Sequence, residues 1–160
     1  MSDGSAYPVT LEQLADVICT NILSDFAYFT MKVSGTAVDF YNYSKYRLCV
    51  LWFELEARIP PSPSRSVLDD IVSNLSGIFL TDDSCSAFRA EFMEVYTKFR
   101  LALSSHSRDS INEFVSSFRM DALHRKPSDY DLQELFACIT VVTSWLKFDG
   151  AHLDHFRIQF

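Results

Sequence analysis

His152 and His155 stand three residues apart with Asp154 between them, a spacing that on one helical turn points two imidazoles at a single cation. The pattern offers no third protein ligand. No Glu-x-x-His pair, as used by di-iron helical bundles, accompanies it. A structural or surface role is therefore expected for both histidines, with no metal and no cofactor. Nucleophilic catalysis needs a serine or cysteine activated by a nearby base. The chain has many serines and four histidines, but no GxSxG elbow, and His106 and His124 fall in polar connections. The acidic pairs Glu54/Glu56, Asp69/Asp70, Asp82/Asp83 and Asp129/Asp131 lie at expected helix ends or on wet faces. Acids in a first helical turn favour the helix dipole, which accounts for most of them without catalysis. With four glycines and neither GxxxxGK[ST] nor GxGxxG, a phosphate-cradling loop is not expected.

The aromatic residues carry the remaining signal. Phe40, Tyr41, Tyr43 and Tyr46 open one expected helix, and Phe26, Tyr28 and Phe29 end the one before it. At 3.6 residues per turn the first group spans too wide an arc for one face, so some of its rings are expected at a surface or interface. A large core with tyrosine hydroxyls reaching water accounts for the cluster equally well. Tyr41, Tyr43 and Tyr46, together with Tyr28 and Trp145, are the candidate contact residues. Truncating a contact residue should weaken association and leave folding largely intact.

Six apolar stripes at helical spacing must position these residues. Leu68, Ile71, Val72, Leu75, Ile78 and Phe79 form one, and Phe88, Phe92, Val95, Tyr96, Phe99 and Leu103 another. Caps, glycines and prolines predict helices over 10–34, 37–58, 66–80, 85–103, 110–122 and 129–148. Thr10 with Gln13 reads as a capping box, and Thr36, Ser66, Ser110 and Ser128 as further N-caps. Glu94 and Lys98 form an i,i+4 pair. Leu48–Phe53 is apolar on every side, as in a central helix. The sixth stripe, Leu132, Leu135, Phe136, Ile139, Val142 and Leu146, is joined by a second one through Cys138, Val141, Trp145 and Phe148. Two apolar faces indicate either a second central helix or an interface helix, and Leu51 and Ile139 are expected to be fully buried.

The fold class expected is all-α: one domain over 1–160, a bundle of about six helices, with a flexible segment over 1–9 and a tail over 151–160. The tail sets Phe156, Ile158 and Phe160 at period two, a short strand or extended arm that must dock somewhere. At this length about 70% of the unfolded surface is buried, enough for a core without staples. Cys19, Cys49, Cys85 and Cys138 show no CxxC spacing and read as reduced, buried thiols of an intracellular protein. The N-terminus lacks the pattern of a signal peptide, and the longest apolar run is too short to span a bilayer, so a soluble, cytoplasmic protein is expected. The net charge of −7 disfavours general nucleic-acid binding. The basic cluster Arg119, His124, Arg125 and Lys126 is interrupted by Asp121 and reads as a solvated connection. The expected function is a non-enzymatic interaction or assembly module. It would bind a protein partner, or itself, through an aromatic surface or a groove that accepts an amphipathic helix. A carrier or sensor of an apolar ligand, with a pocket between the first, second and sixth helices, and an enzyme with a site of dispersed residues are the alternatives.

Overall fold

The computed structural model describes residues 6–33, 38–79, 83–104, 108–126 and 131–159. Six helices form an all-α bundle: α1 Leu11–Lys32, α2 Phe40–Glu56, α3 Pro61–Phe79, α4 Asp83–Ser104, α5 Arg108–Leu123 and α6 Leu132–Leu153. A strand lies at each end, β1 Tyr7–Thr10 and β2 Phe156–Gln159.

Local chemistry sets most of the boundaries. Thr10 caps α1: its hydroxyl accepts from the Gln13 N–H at 3.2 Å, and the Gln13 side chain accepts from the Thr10 N–H at 2.9 Å. Asp39 caps α2, accepting from the Asn42 N–H, whereas the expected cap Thr36 lies outside the described residues. α3 begins at Pro61, five residues before the expected Ser66. Residues 61–64 form its first turn. Proline at the first helical positions lacks only N–H groups that have no partner there, and the Ser64 N–H already donates to the Pro60 carbonyl at 3.1 Å. α5 gives way to His124, whose φ of 54° supplies the left-handed residue that often ends a helix. Asp131 caps α6 by accepting from the Glu134 N–H at 3.1 Å, and the expected cap Ser128 lies outside the described residues. The side chains of Cys85 and Ser110 and the whole of His106 also lie outside them.

α6 does not stop before Gly150 but runs through it to Leu153. Here the glycine serves close packing. A Cβ at this position would stand 2.8 Å from the Glu54 carboxylate and 3.2 Å from the Arg58 guanidinium, and Arg58 Nη2 donates to the Gly150 carbonyl at 3.1 Å. The tail docks within the same chain. β2 pairs in parallel with β1, setting Tyr7 against Phe156 and Val9 against Ile158. The segment expected to be free over 1–9 is thus a strand from Tyr7 onward.

α2 is the axis of the bundle. It touches each of the other five helices, and every side chain from Tyr43 to Trp52 is buried. Leu51 is fully buried, as the all-round apolar run predicts. Ile139 is not: it is 37% exposed, and Leu132 and Phe136 are more exposed still. α6 turns Glu134, Cys138, Val142, Trp145, Asp149 and Leu153 inward instead. Two carboxylates take inward positions because arginines meet them there. Glu134 receives Arg119 Nε at 2.8 Å and Arg125 Nε at 3.0 Å, and Asp149 receives Arg47.

The buried thiols make stability depend on pH. Burial pushes Cys19 up to about 11 and Cys138 up to about 12, from an ordinary 9.0. The folded chain therefore keeps protons that the unfolded chain releases first. Stability should be level below about pH 9 and fall as pH rises toward about 11. Urea unfolding at about pH 8 and about pH 10.5 checks this, and an unchanged midpoint would contradict it.

Candidate functional site

α4 and α5 share an aromatic contact. Near their connected ends the rings of Phe99 and Phe114 meet at 4.8 Å between centroids. Toward their far ends each helix is tied separately to α2. The Tyr41 hydroxyl donates to Glu91 of α4 at 2.8 Å, and the Tyr46 hydroxyl donates to Asp121 of α5. Between the two ties lies a groove of about 810 Å³. Lys45 and Tyr46 of α2, Val95 and Phe99 of α4 and Phe114 of α5 border it. Leu101 and Met120, 66% and 44% exposed, stand on opposite rims.

Charge in the groove is arranged around Lys45. Its ammonium donates to the Asn42 side chain at 2.9 Å, stands 3.5 Å from Glu91, and lies 5.8 Å from the ring centres of both Tyr41 and Tyr46. A carboxylate and two ring faces compensate the burial of this lysine. The rims carry Glu91, Glu94, Glu113 and Asp121 against a single further cation, Lys98, whose expected i,i+4 pair with Glu94 forms at 3.9 Å. Burial, reinforced by the hydrogen bond to Asp121, holds the Tyr46 phenol above its ordinary range. Burial and then Glu91 do the same for Tyr41. Neither phenol gives up its proton near neutrality. Among the described residues the groove lining includes no histidine or cysteine. The groove thus joins exposed Leu101 and Met120, the fixed Tyr46 hydroxyl and an acidic rim.

The candidate contact residues divide three ways. Tyr46 borders the groove, and half-buried Tyr41 braces its α4 rim. Tyr43, Tyr46 and Trp145 are all buried in the core, which corrects the expectation of them as contact residues. The wide arc does not force exposure, because α2 has neighbours on every side. Tyr43 packs against Phe29, Phe118 and Trp145 with centroids 5.4 to 5.8 Å apart, and its hydroxyl is buried without a hydrogen-bond partner among the described residues. Beside these rings, Arg47 makes a two-pronged bond to Asp149 at 2.6 and 2.7 Å and a third bond to Asp25 at 2.7 Å. Its guanidinium lies 4.9 Å from the Trp145 ring centre. Tyr28 is exposed on α1, beneath the Lys32 ammonium and apart from the groove lining.

His152 is engaged with Asn21 at 3.1 Å, and Asp154 accepts from Arg58 at 2.9 Å. Among the described residues no three His, Cys, Asp or Glu side chains converge as a metal site would need. Lys45, Glu91, Phe99, Phe114, Met120 and Asp121 were not among the candidates read from sequence. The available signal was the acids beside the apolar stripes, Glu91 next to Phe92, Glu94 next to Val95 and Glu113 next to Phe114.

No protein family, curated protein or solved structure matches this chain. Among the described residues, no helix is long and apolar enough to cross a membrane.

Proposed function

We propose that this protein is a recognition module whose α4–α5 groove takes an amphipathic helix carrying basic residues beside its apolar stripe. The observation that carries this reading is a groove that sets exposed Leu101 and Met120 beside an acidic rim. A helix laid in it would set apolar side chains against Val95, Leu101 and Met120 and its lysines or arginines along Glu94, Glu113 and Asp121. Complementary rim charge favours such a partner and disfavours an acidic one, and the overall −7 charge works against nucleic acid in the same way. The free, buried thiols of Cys19, Cys49 and Cys138 suit an intracellular protein. For the alternative of an apolar-ligand carrier, the region between α1, α2 and α6 offers little room, because the rings of Phe29, Tyr43 and Trp145 pack there.

The test uses two designed amphipathic peptides of about twenty residues with one apolar stripe, one flanked by lysine and the other by glutamate. Fluorescence anisotropy should show the lysine peptide binding at least about tenfold more tightly, with the difference shrinking as salt is raised. Met120→Lys should weaken binding by about tenfold or more, with the melting temperature nearly unchanged, because Met120 is exposed on the rim and the new cation repels the basic helix. Equal binding of both peptides, or binding indifferent to Met120→Lys, would remove the groove as the recognition site.

A further inference from the structure

The side of α4 that faces α3 carries the opposite charge to the groove. Glu91 and Glu94 border the groove, whereas Arg89, Met93, Thr97, Arg100 and Ser104 follow one another at spacings of four, four, three and four and form an exposed stripe without an acid. Arg89 and Arg100, with Arg65 of α3, border a cleft of about 590 Å³ between α2, α3 and α4. Among the described residues Glu56 is the one acid in its lining. Three cations against one carboxylate reverse the balance of the chain, which has 14 basic and 21 acidic residues. Carboxylates brace two of the arginines: Arg89 Nη1 lies 2.5 Å from Asp69, and Arg100 Nη1 lies 3.6 Å from Glu56, which itself accepts from the Tyr96 hydroxyl at 2.6 Å. Each pairing engages one guanidinium nitrogen and leaves Nε and Nη2 to donate. Arg65 is exposed, and its guanidinium has no hydrogen-bond or ion-pair partner among the described residues.

We propose that this cleft binds a small molecule through its oligophosphate group. The volume falls in the range of roughly 300–1,000 Å³ that small-molecule sites occupy. A guanidinium offers parallel N–H donors that fit a phosphate two at a time, and its charge persists at every physiological pH. The spacing of the arginines selects linked anionic groups over a single one. Arg89 and Arg100 are separated by about 16 Å along α4 at the helical rise. Asp69 meets Arg89, and Arg65 lies one turn nearer the start of α3, so it stands level with the stretch between the other two. One carboxylate or phosphate reaches a part of this row, and a chain of phosphates follows it. Exposed Met93 borders the same cleft and gives the rest of the molecule an apolar contact. The net charge of −7 does not forbid a small anion here, because at physiological salt charges beyond about 8 Å are largely screened and the nearest lining charges are cationic. The site lies across α4 from the helix-binding groove and stands independently of it.

Isothermal titration calorimetry with inorganic tripolyphosphate at physiological salt tests the site. One tripolyphosphate per chain should bind with a Kd below about 1 mM, at least about tenfold more tightly than inorganic phosphate or citrate. Arg65→Gln should weaken it by about tenfold or more and keep the wild-type melting temperature, because Arg65 is exposed and its guanidinium has no partner to lose among the described residues. Tripolyphosphate should raise the melting temperature of the wild type and leave that of Arg65→Gln nearly unmoved. Met120→Lys in the α4–α5 groove should bind tripolyphosphate as the wild type does. Absence of saturable binding up to about 10 mM overturns the proposal. So does equal binding by wild type and Arg65→Gln. Citrate bound as tightly as tripolyphosphate would make the cleft a general anion patch and also overturn it.

Discussion

Replacing Arg47 with Ala should lower the unfolding free energy by about 3–5 kcal/mol, because it leaves a buried carboxylate without its cation. Arg47 is 4% exposed and binds Asp149, itself 5% exposed, through both guanidinium NH2 groups. Burial already pushes the Asp149 carboxyl above its ordinary range, with the bond from Arg47 acting against that rise. Removing the arginine leaves the desolvation and takes away the compensation. Asp25 loses its partner as well, at smaller expense because it is partly exposed. For a domain of this size the expected fall in melting temperature is about 10 °C. The double replacement Arg47→Met with Asp149→Leu should recover much of the loss, since an apolar pair of similar volume carries no desolvation penalty. If Arg47→Ala melts like the wild type, the three-helix tie through Asp25, Arg47 and Asp149 contributes nothing to the fold.

Leu51→Ala should cost about 2–5 kcal/mol, the range for emptying a packed leucine position. Leu51 is fully buried at the centre of α2, where five helices converge and a cavity cannot collapse by moving one of them. Ile139→Ala makes the control. Both residues lie in strongly apolar helices, but Ile139 is 37% exposed, so truncating it should cost well under the Leu51 figure. Urea unfolding of both variants measures the contrast. Equal losses would contradict the central placement of α2.

The contrast also marks where sequence patterning succeeds and where it fails. The stripes, the Thr10–Gln13 box and the run Leu48–Phe53 arise from neighbours close in the chain, so the helix count, α1 and the central place of α2 are legible from spacing. The choice of inward face on α6 is not. Glu134 and Asp149 point inward because arginines 15 and 102 residues away meet them, and an apolar-periodicity rule assigns such positions to water. Gly150 reads as a stop, but its lack of a side chain serves the approach of Glu54 and Arg58. Pro61 and Pro63 read as breakers, but they lie in the first turn of α3, where proline is tolerated.

The groove was half legible for the same reason. Tyr41 and Tyr46 stand out as aromatic residues on a crowded helix. Their partners Glu91 and Asp121 lie 50 and 75 residues away, and only the folded bundle brings them together. Tyr43 shares their type and neighbourhood yet does not border the groove, because its ring falls among Phe29, Phe118 and Trp145. Residue type selected the cluster, and its orientation on α2 divided it.

The central claim is that the trough between α4 and α5 is where a basic amphipathic helix binds. Titrating the lysine-flanked peptide into isotope-labelled protein and following amide and methyl shifts tests it most directly. The predicted result is a set of saturable shifts at Glu91, Val95, Phe99, Phe114 and Met120, with the outward face of α6 and Tyr28 unmoved. Shifts confined to α6 or to α1, or binding that leaves Phe99, Phe114 and Met120 unchanged, would contradict it.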